Sequence, residues 1–493
     1  MTPRHPVYVL DGNHFAGRIM GPDLHCDVAI IGAGTAGISA ERSARRQGAQ
    51  TLLIDPHFAG TVCARIGCMP SKLLIAAAQA AHGARTAGPF GIRGGEVRVD
   101  GAAVMRRVRA LRDEFVAGVK DSFEALPDGT TVKAAAHFTG PNYMTLDDGR
   151  RLSARAFVLA TGSHPAVPDA FAALGDRLET NQTIFERETL PESLAVVGGG
   201  PLGLELAQAM ARLGVEVTVL EASDRLAGIA DRQLATNFYD RLSTEMTIHL
   251  KAEVTPRRVD DGVVLEWAGG SLKAERVLLA IGRPPSLEGL HLAAAGLTLK
   301  ENGVPDYDPR TLRCGKSAIF IAGDMTGERP LLHEASAEGT IAGANAADPD
   351  HTAPSHRLVP FSMAFTHPGV VSIGEVADRA DARTVVGYAD FGTQGRARVE
   401  NLNVGGALLY AEPQTGRLIG ALLVAPMAEH LGHLLAWAIE AGETAPTLLD
   451  RPFYHPTYEE GLKSALRDIC QALENGVPKD RDDWDRPGDH SDG

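Results

Sequence analysis

The chain has 493 residues, 44% hydrophobic and 22% charged, the balance of a soluble globular protein that is too long for one core and is expected to hold about three domains. Its formal net charge of −14 argues against nucleic acid as the main partner, and no apolar run approaches the roughly 20 residues of a membrane span. Five cysteines (Cys26, Cys63, Cys68, Cys314 and Cys470) are too sparse for a secreted disulfide scaffold and suit a reducing compartment, so a cytoplasmic protein of bacterial type is expected.

Residues 1–24 lack the basic start and apolar core of a secretory signal. They read as a loose extension, residues 1–25, or as a mis-assigned start ahead of Met20. From Cys26 a short apolar strand runs into Gly32-Ala33-Gly34-Thr35-Ala36-Gly37, then a helical pattern, then a second strand ending at Asp55. A G-x-G-x-x-G is weak alone; with the strand, the helix and the acid it is a dinucleotide fingerprint. The first Gly permits the turn, the second lets backbone approach a pyrophosphate, and the third lets helix pack on strand. The phosphates sit where unpaired helix N–H groups point at them, and Asp55 is placed to bond ribose hydroxyls.

Next comes Cys63-Ala64-Arg65-Ile66-Gly67-Cys68-Met69-Pro70-Ser71-Lys72. A dithiol beside a bound dinucleotide suggests electrons passing between a carrier and a disulfide. Two unrelated buried thiols, or half of a zinc site, are the alternatives on spacing alone. Five α-helical steps rise about 7.5 Å, beyond the usual Cα separation of a disulfide, so the pair closes only if regular helix is interrupted between them. Pro70 is favoured in a first helical turn, which puts Cys68 at or just before a helix N-terminus. The partial positive charge there lowers a thiol pKa.

Further along, Phe157–Ser163 reads as a strand ending in Ala160-Thr161-Gly162-Ser163. The fingerprint then repeats. An apolar strand from Leu194 enters Gly198-Gly199-Gly200-Pro201-Leu202-Gly203, and a later strand ends at Glu221. Gly32 to Asp55 and Gly198 to Glu221 are both steps of 23 residues, so two dinucleotide sites are expected. A carboxylate at Glu221 repels a 2′-phosphate and favours NAD(H) over NADP(H); Arg225, four residues on, is able to soften that preference. Val277–Arg283, containing Gly282, and Ile319–Asp324 are two more strand-plus-Gly signals, where the chain leaves one nucleotide domain and enters the next. Residues 350–470 change texture. Strands near Val370–Val376 and Ala407–Ala411 and a helical stretch near Met427–Ala441 suggest an α+β domain without a nucleotide signature. From Asn475 the chain is polar and rich in charge, as a disordered tail is, and Trp484 is the one residue there suited to docking.

These motifs, in this order, resemble the pyridine nucleotide-disulfide oxidoreductases, and among them the dihydrolipoyl dehydrogenases, over roughly residues 26–470. His455-Pro456-Thr457 with Glu460 five residues after the His completes the resemblance. It implies an α/β fold of two Rossmann-like domains with parallel sheets, the FAD-binding one discontinuous (26–165 and 287–348) and the NAD-binding one at 166–286. An α+β dimerisation domain (349–474) and the acidic tail (475–493) follow. It implies that Cys63 is the interchange thiol and Cys68 the thiol touching the flavin. Lys72 lies near the flavin N5 edge with Glu205 as its acidic partner, and Asp324 binds FAD near the ribityl chain. His455 is the acid/base and Glu460 its orienting carboxylate. Thiol–disulfide exchange needs a thiolate and hence a nearby base. His, with an unperturbed pKa of about 6.5, suits that role.

The resemblance further implies cofactors FAD and NAD, and a homodimer whose active site joins His455 of one subunit to the thiol pair of the other. It implies a lipoylated acyltransferase of a 2-oxo acid dehydrogenase complex as partner, with no nucleic acid and no membrane. Three positions depart from the family pattern. Arg65 stands where the spacer usually carries Asn; it lowers a thiol pKa, binds an anionic substrate group or faces solvent. Pro201 replaces a larger side chain, and Thr366-His367-Pro368-Gly369 lacks the acid often found after the Pro. The alternatives are a related NAD(P)H-dependent disulfide reductase with another substrate, and a non-enzymatic flavin-binding scaffold. The second is disfavoured by the intact Cys63, Cys68, His455 and Glu460 set.

Overall fold

The computed structural model describes residues 23–379 and 383–473. The expected N-terminal extension, save its last residues, and the expected disordered tail with Trp484 lie outside the described residues. Two compact units form. The first comprises residues up to Leu73, Arg106–Ala166 and Gly282–Arg357; the second comprises Leu74–Met105, Val167–Ile281 and the chain from Leu358.

The first unit is built on a seven-stranded sheet. Its central strand, Leu24–Ile31, is an apolar run whose residues Val28–Ile31 are all buried, as a parallel strand covered on both faces requires. Thr51–Ile54 and Arg151–Leu159 flank it in parallel, and Thr131–Val132 extends the Thr51 side. The Arg151 end of its strand instead pairs antiparallel with Tyr143–Leu146, which turns back to Ala136–Gly140. Ile319–Ile321 joins in parallel at the Leu159 end. Ile31 and Ile321 both pair with Leu159. The loops that follow these three strands therefore leave the sheet at one edge, where open α/β sheets bind ligands. Helix α1 (Thr35–Arg46) packs against the helix Leu332–Ala347. Gly339 and Gly343 permit this approach, since a Cβ at either would overlap the backbone oxygens of Ala36 and Ala40.

The second unit holds a five-stranded parallel sheet in the order Thr247–Leu250, Glu216–Glu221, Ser193–Val197, Arg276–Leu279, Leu178–Glu179. A three-stranded antiparallel sheet spans Thr255–Ala274. The region expected to be α+β contains a five-stranded antiparallel sheet, ordered Phe361–Ala364, Gly369–Gly374, Leu418–Ala425, Gly406–Ala411, Val385–Asp390. The helices Ala428–Glu440 and Leu462–Ala472 lie on it. They bury Leu431 and Leu435, and Leu466 and Ile469, at the spacing of an amphipathic helix. No described helix is long and apolar enough to cross a membrane.

One ion pair in this unit is fully withdrawn from water on its acidic side. Asp231, 1% exposed, caps the helix Arg232–Leu242 through Leu234 N–H at 2.9 Å and binds Arg379 Nε at 2.8 Å and Nη2 at 3.0 Å. Burial works against its ionised form, yet the bonds from Arg379 and the two backbone N–H groups hold its carboxyl below the usual range. Asp231→Ala removes the cap and strands a half-buried guanidinium, so a loss of about 3 kcal/mol is expected in urea unfolding. Because the folded pKa is depressed, this stabilisation is present above about pH 4 and is lost as pH falls below it. The difference between wild type and variant in unfolding midpoint should therefore shrink on acidification.

Candidate active site

The two fingerprints have the same construction. Gly32 and Gly198 adopt φ of +105° and +110°, a region that side chains rarely enter, and a Cβ there would overlap the carbonyls of Ala160 and Ala280. Gly34 and Gly200 are the N-caps of α1 and of the helix Pro201–Arg212, with no side chain satisfying the helix N–H groups. A Cβ on either would meet nothing within 4 Å, so protein packing does not require these two glycines, and the space before each helix N-terminus is open. Gly37 and Gly203 abut the oxygens of Gly32 and Gly198. The acids match as well. Asp55 Oδ2 accepts from Ala33 N–H at 3.0 Å and its Oδ1 from His57 and Phe58 N–H at 2.8 Å each. Glu221 Oε2 accepts from Gly199 N–H, and Oε1 from Ser223 N–H at 2.7 Å. Each carboxylate thus ties its own loop to its fingerprint, with lone pairs left for ribose hydroxyls. Both cradles fit a dinucleotide.

The side chain of Arg225 is turned to its own loop. Its guanidinium donates to Ala230 O at 2.6 Å and Ile229 O at 3.5 Å. Glu205 is buried, 5% exposed, and accepts Phe365 N–H at 2.9 Å.

In the first unit the thiols lie at a break between two helices. Helix α2 (Val62–Ile66), capped by Thr61 Oγ1 accepting from Ala64 N–H at 3.2 Å, ends at Gly67; helix α3 (Cys68–Arg85) starts at once. This is the interruption that the spacing demanded. Gly67 allows it, because a Cβ there would sit 2.9 Å from Val62 O and 3.3 Å from Cys63 Cα. Both cysteines are thiols, Cys63 half-buried and Cys68 exposed. The Cys63 thiol is pushed above the usual range, first by its hydrogen bond to Cys68, then by burial and the charge of Cys68. The Cys68 N–H, at the first position of α3, and the Lys72 ammonium pull the other way. Lys72 Nζ lies 3.5 Å from Ser71 Oγ. Arg65 is half-buried with its Nε out of water, and its carbonyl accepts from Arg112 at 3.5 Å. Among the described residues no group of three or more His, Cys, Asp or Glu is placed to hold a metal ion.

The loops leaving the first sheet meet in a cluster that sequence reasoning found only in part. Thr161 Oγ1 donates to Ser286 O at 2.7 Å, and Gly162 has φ of +73°. Ser163 Oγ donates to Asp324 Oδ2 at 2.7 Å. Arg283 was not among the expected site residues; it donates from Nε to Ser163 Oγ at 3.1 Å and from Nη2 to Ser163 O at 2.9 Å, with Asp324 Oδ2 4.0 Å away. Gly282, at φ +128°, accepts Ala166 N–H on its carbonyl at 3.0 Å.

In the second unit His455 Nδ1 lies 3.1 and 3.0 Å from the two oxygens of Glu460. A carboxylate only accepts, so Nδ1 carries the hydrogen and Nε2 is left for another partner. Glu460 Oε1 also accepts Thr457 N–H at 3.2 Å, and Thr457 O is held by Gln394 Nε2 at 2.7 Å. The imidazole is 81% exposed.

Comparison with known proteins agrees with this geometry. Residues 26–339 match the pyridine nucleotide-disulphide oxidoreductase family, and residues 360–466 match its dimerisation domain. A dihydrolipoyl dehydrogenase of Thermus scotoductus is 31% identical, over 89% of this chain and 96% of its own. A mercuric reductase of Shigella flexneri is 33% identical, over 89% of this chain and 80% of its own. Among solved structures, LpdA from Mycobacterium tuberculosis matches with a TM-score of 0.78 at 25% identity, over 90% of this chain and 99% of that one. The flavoprotein disulfide reductase RclA from Escherichia coli shares the fold, with a TM-score of 0.78 at 22% identity over 89% and 99%. The chain therefore belongs to the pyridine nucleotide-disulphide oxidoreductases, flavoproteins that bind FAD and a nicotinamide dinucleotide.

Proposed function

We propose that this enzyme oxidises dihydrolipoyl groups and reduces NAD⁺, working as a homodimer in a bacterial-type cytosol. The observation that carries the reading is the Cys63–Cys68 thiol pair, set at a helix break in the unit that also holds the first cradle. FAD occupies the cradle of Gly32, Gly34, Gly37 and Asp55, with the loops of Thr161, Gly162 and Asp324 beside it. NAD⁺ occupies that of Gly198, Gly200, Gly203 and Glu221.

The chemistry starts from the oxidised pair. A substrate thiolate attacks Cys63 Sγ, the Cys63–Cys68 bond breaks, and Cys68 leaves as a thiolate. The second substrate thiol then displaces Cys63, closing the lipoyl disulfide and leaving the protein with the dithiol. His455 of the other subunit takes the proton from the first attacking thiol, passes it to the departing Cys63 sulfur and takes the proton of the second thiol, and Glu460 fixes its tautomer and stabilises the imidazolium. Bound FAD would supply the two-electron relay between the Cys63–Cys68 dithiol and the nicotinamide. The substrate arm belongs to a lipoylated acyltransferase of a 2-oxo acid dehydrogenase complex.

A second reading, an NAD(P)H-dependent reductase of another disulfide, is favoured by one observation, the half-buried guanidinium of Arg65 between the cysteines. A steady-state panel separates the two. NAD⁺ reduction by dihydrolipoamide, reduced glutathione and a simple dithiol is set against NADH and NADPH oxidation by disulfides and by Hg(II). We expect dihydrolipoamide with NAD⁺ to give the highest kcat/KM; fast NADPH oxidation with another acceptor and none with the lipoyl pair would favour the second reading.

Nucleotide choice rests on Glu221, with Arg225 committed elsewhere. Glu221→Gln removes the charge and keeps an oxygen acceptor for one of the Gly199 and Ser223 N–H groups. Its kcat/KM for NADP⁺ relative to NAD⁺ should rise roughly tenfold; an unchanged ratio would remove Glu221 from this role.

A further inference from the structure

Behind the turn that carries Asp324 lies a buried ionic network that the proposed chemistry leaves unused. Glu338 is 0% exposed and Glu334 is 2% exposed, one helical turn apart on the helix Leu332–Ala347. Arg357 Nη2 donates to Glu338 Oε1 at 2.6 Å and to Glu334 Oε2 at 2.9 Å; Arg329 Nη1 donates to Glu334 Oε1 at 2.9 Å. The second oxygen of Glu338 is taken by the backbone. It accepts Gly323 N–H at 2.7 Å. Gly323 has φ of +76°, and a Cβ there would stand 2.8 Å from Ala36 Cβ on α1. The residue is thus wedged against the first fingerprint helix in a backbone conformation that only glycine holds easily. The next residue is Asp324, in the same short turn, with Ser163 Oγ on its carboxylate.

A buried carboxylate is costly unless all its acceptor capacity is used. Here one oxygen is spent on a guanidinium and the other on the single backbone N–H that sets the direction of this turn. We propose that Glu338, held by Arg357, is a positioning residue for bound FAD, fixing the Gly323 turn that aims Asp324 at the cofactor. This inference rests on the reading that FAD binds at Asp324 and the first fingerprint. The groups facing Glu338 are Arg357, Glu334 and the buried Tyr307 hydroxyl. Arg329 acts on it through Glu334, and Glu328 through Tyr307. Burial pushes its carboxyl up to about 7, against Arg357 and the Gly323 N–H. A proton on Glu338 turns one acceptor oxygen into a donor and costs it one of its two bonds. FAD binding, which requires the ordered turn, therefore favours the carboxylate and releases a proton near neutral pH.

The test is FAD affinity of the full-length apoprotein, by flavin fluorescence and calorimetry, between pH 6 and pH 8.5 (a range about one unit or more either side of neutrality). Wild type should bind more tightly as pH rises through 7 and should release protons in buffers of differing ionisation enthalpy. Glu338→Gln should bind roughly tenfold more weakly at the upper end, with the pH step gone. Circular dichroism of both apoproteins identifies a folding defect. If the variant does not fold, the wild-type pH profile decides by itself: a flat profile with no proton release overturns the inference. So does a folded variant with wild-type affinity and profile. If wild-type apoprotein fails to bind FAD at any pH, the reading of the first cradle fails instead.

Discussion

Replacing Cys63 by serine is expected to abolish dihydrolipoamide-dependent NADH formation, by on the order of a thousandfold or more, while the protein stays yellow with bound FAD. The size follows from the chemistry. The oxygen of serine cannot form the mixed disulfide with the substrate; Cys68 alone has no partner thiol with which to close a disulfide, and Cys26, Cys314 and Cys470 are buried. Retention of flavin follows from the structure. The Thr61 cap, the Gly67 break and the first turn of α3 do not depend on the Cys63 sulfur, and an oxygen is smaller than the atom it replaces. NADH should still reduce the flavin of the variant. Turnover within tenfold of wild type, measured anaerobically with dihydrolipoamide and NAD⁺, would remove Cys63 from the electron path.

His455→Gln should lower kcat with dihydrolipoamide by roughly 10²–10⁴-fold and leave NADH-driven flavin reduction close to wild type. The glutamine amide can donate to Glu460, so the loop held through Thr457 and Gln394 is preserved. What is lost is a group able to take the substrate proton. Glu460→Gln should cost less, since its amide oxygen still accepts from Nδ1–H; it removes the charge that favours imidazolium. Rapid-reaction traces check this directly. Slow reduction by dihydrolipoamide beside fast reduction by NADH places the defect at the thiol half of the reaction. Equal slowing of both halves would contradict the assignment.

The parts of the site that the sequence made legible are those whose constraints are local. A left-handed turn at Gly32 or Gly198 leaves its mark in the same few residues that form it, and the acid follows at a fixed distance along one βαβ unit. The helix break between the cysteines followed from rise per residue, and Gly67 performs it. His455 and Glu460 are five residues apart on one loop.

What stayed hidden is made by contacts across the fold. Arg283 reaches Ser163 across 120 residues, and Ser163 reaches Asp324 across 161; no periodicity encodes either. The direction of Arg225 was equally hidden, because a guanidinium four residues from an acid on a loop has several carbonyls in reach. Glu334 and Glu338 did carry a signal. Two carboxylates at i and i+4 repel on an isolated helix, so their presence in an otherwise Ala- and Gly-rich helix calls for a cation from elsewhere, which Arg357 supplies. The five-stranded sheet after Phe361 was expected only as α+β texture, since the order of antiparallel strands depends on pairings between distant segments.

In the proposed reaction, electrons pass from a dihydrolipoyl dithiol to NAD⁺ through Cys63 and Cys68. The most direct measurement is anaerobic rapid mixing of the oxidised holoenzyme with dihydrolipoamide, following flavin absorbance and counting protein thiols before and after. The account predicts reduction at the rate of turnover, new thiols at Cys63 and Cys68 alone by labelling, and complete reoxidation on adding NAD⁺. An enzyme that NADH reduces readily but that remains oxidised in excess dihydrolipoamide would contradict it.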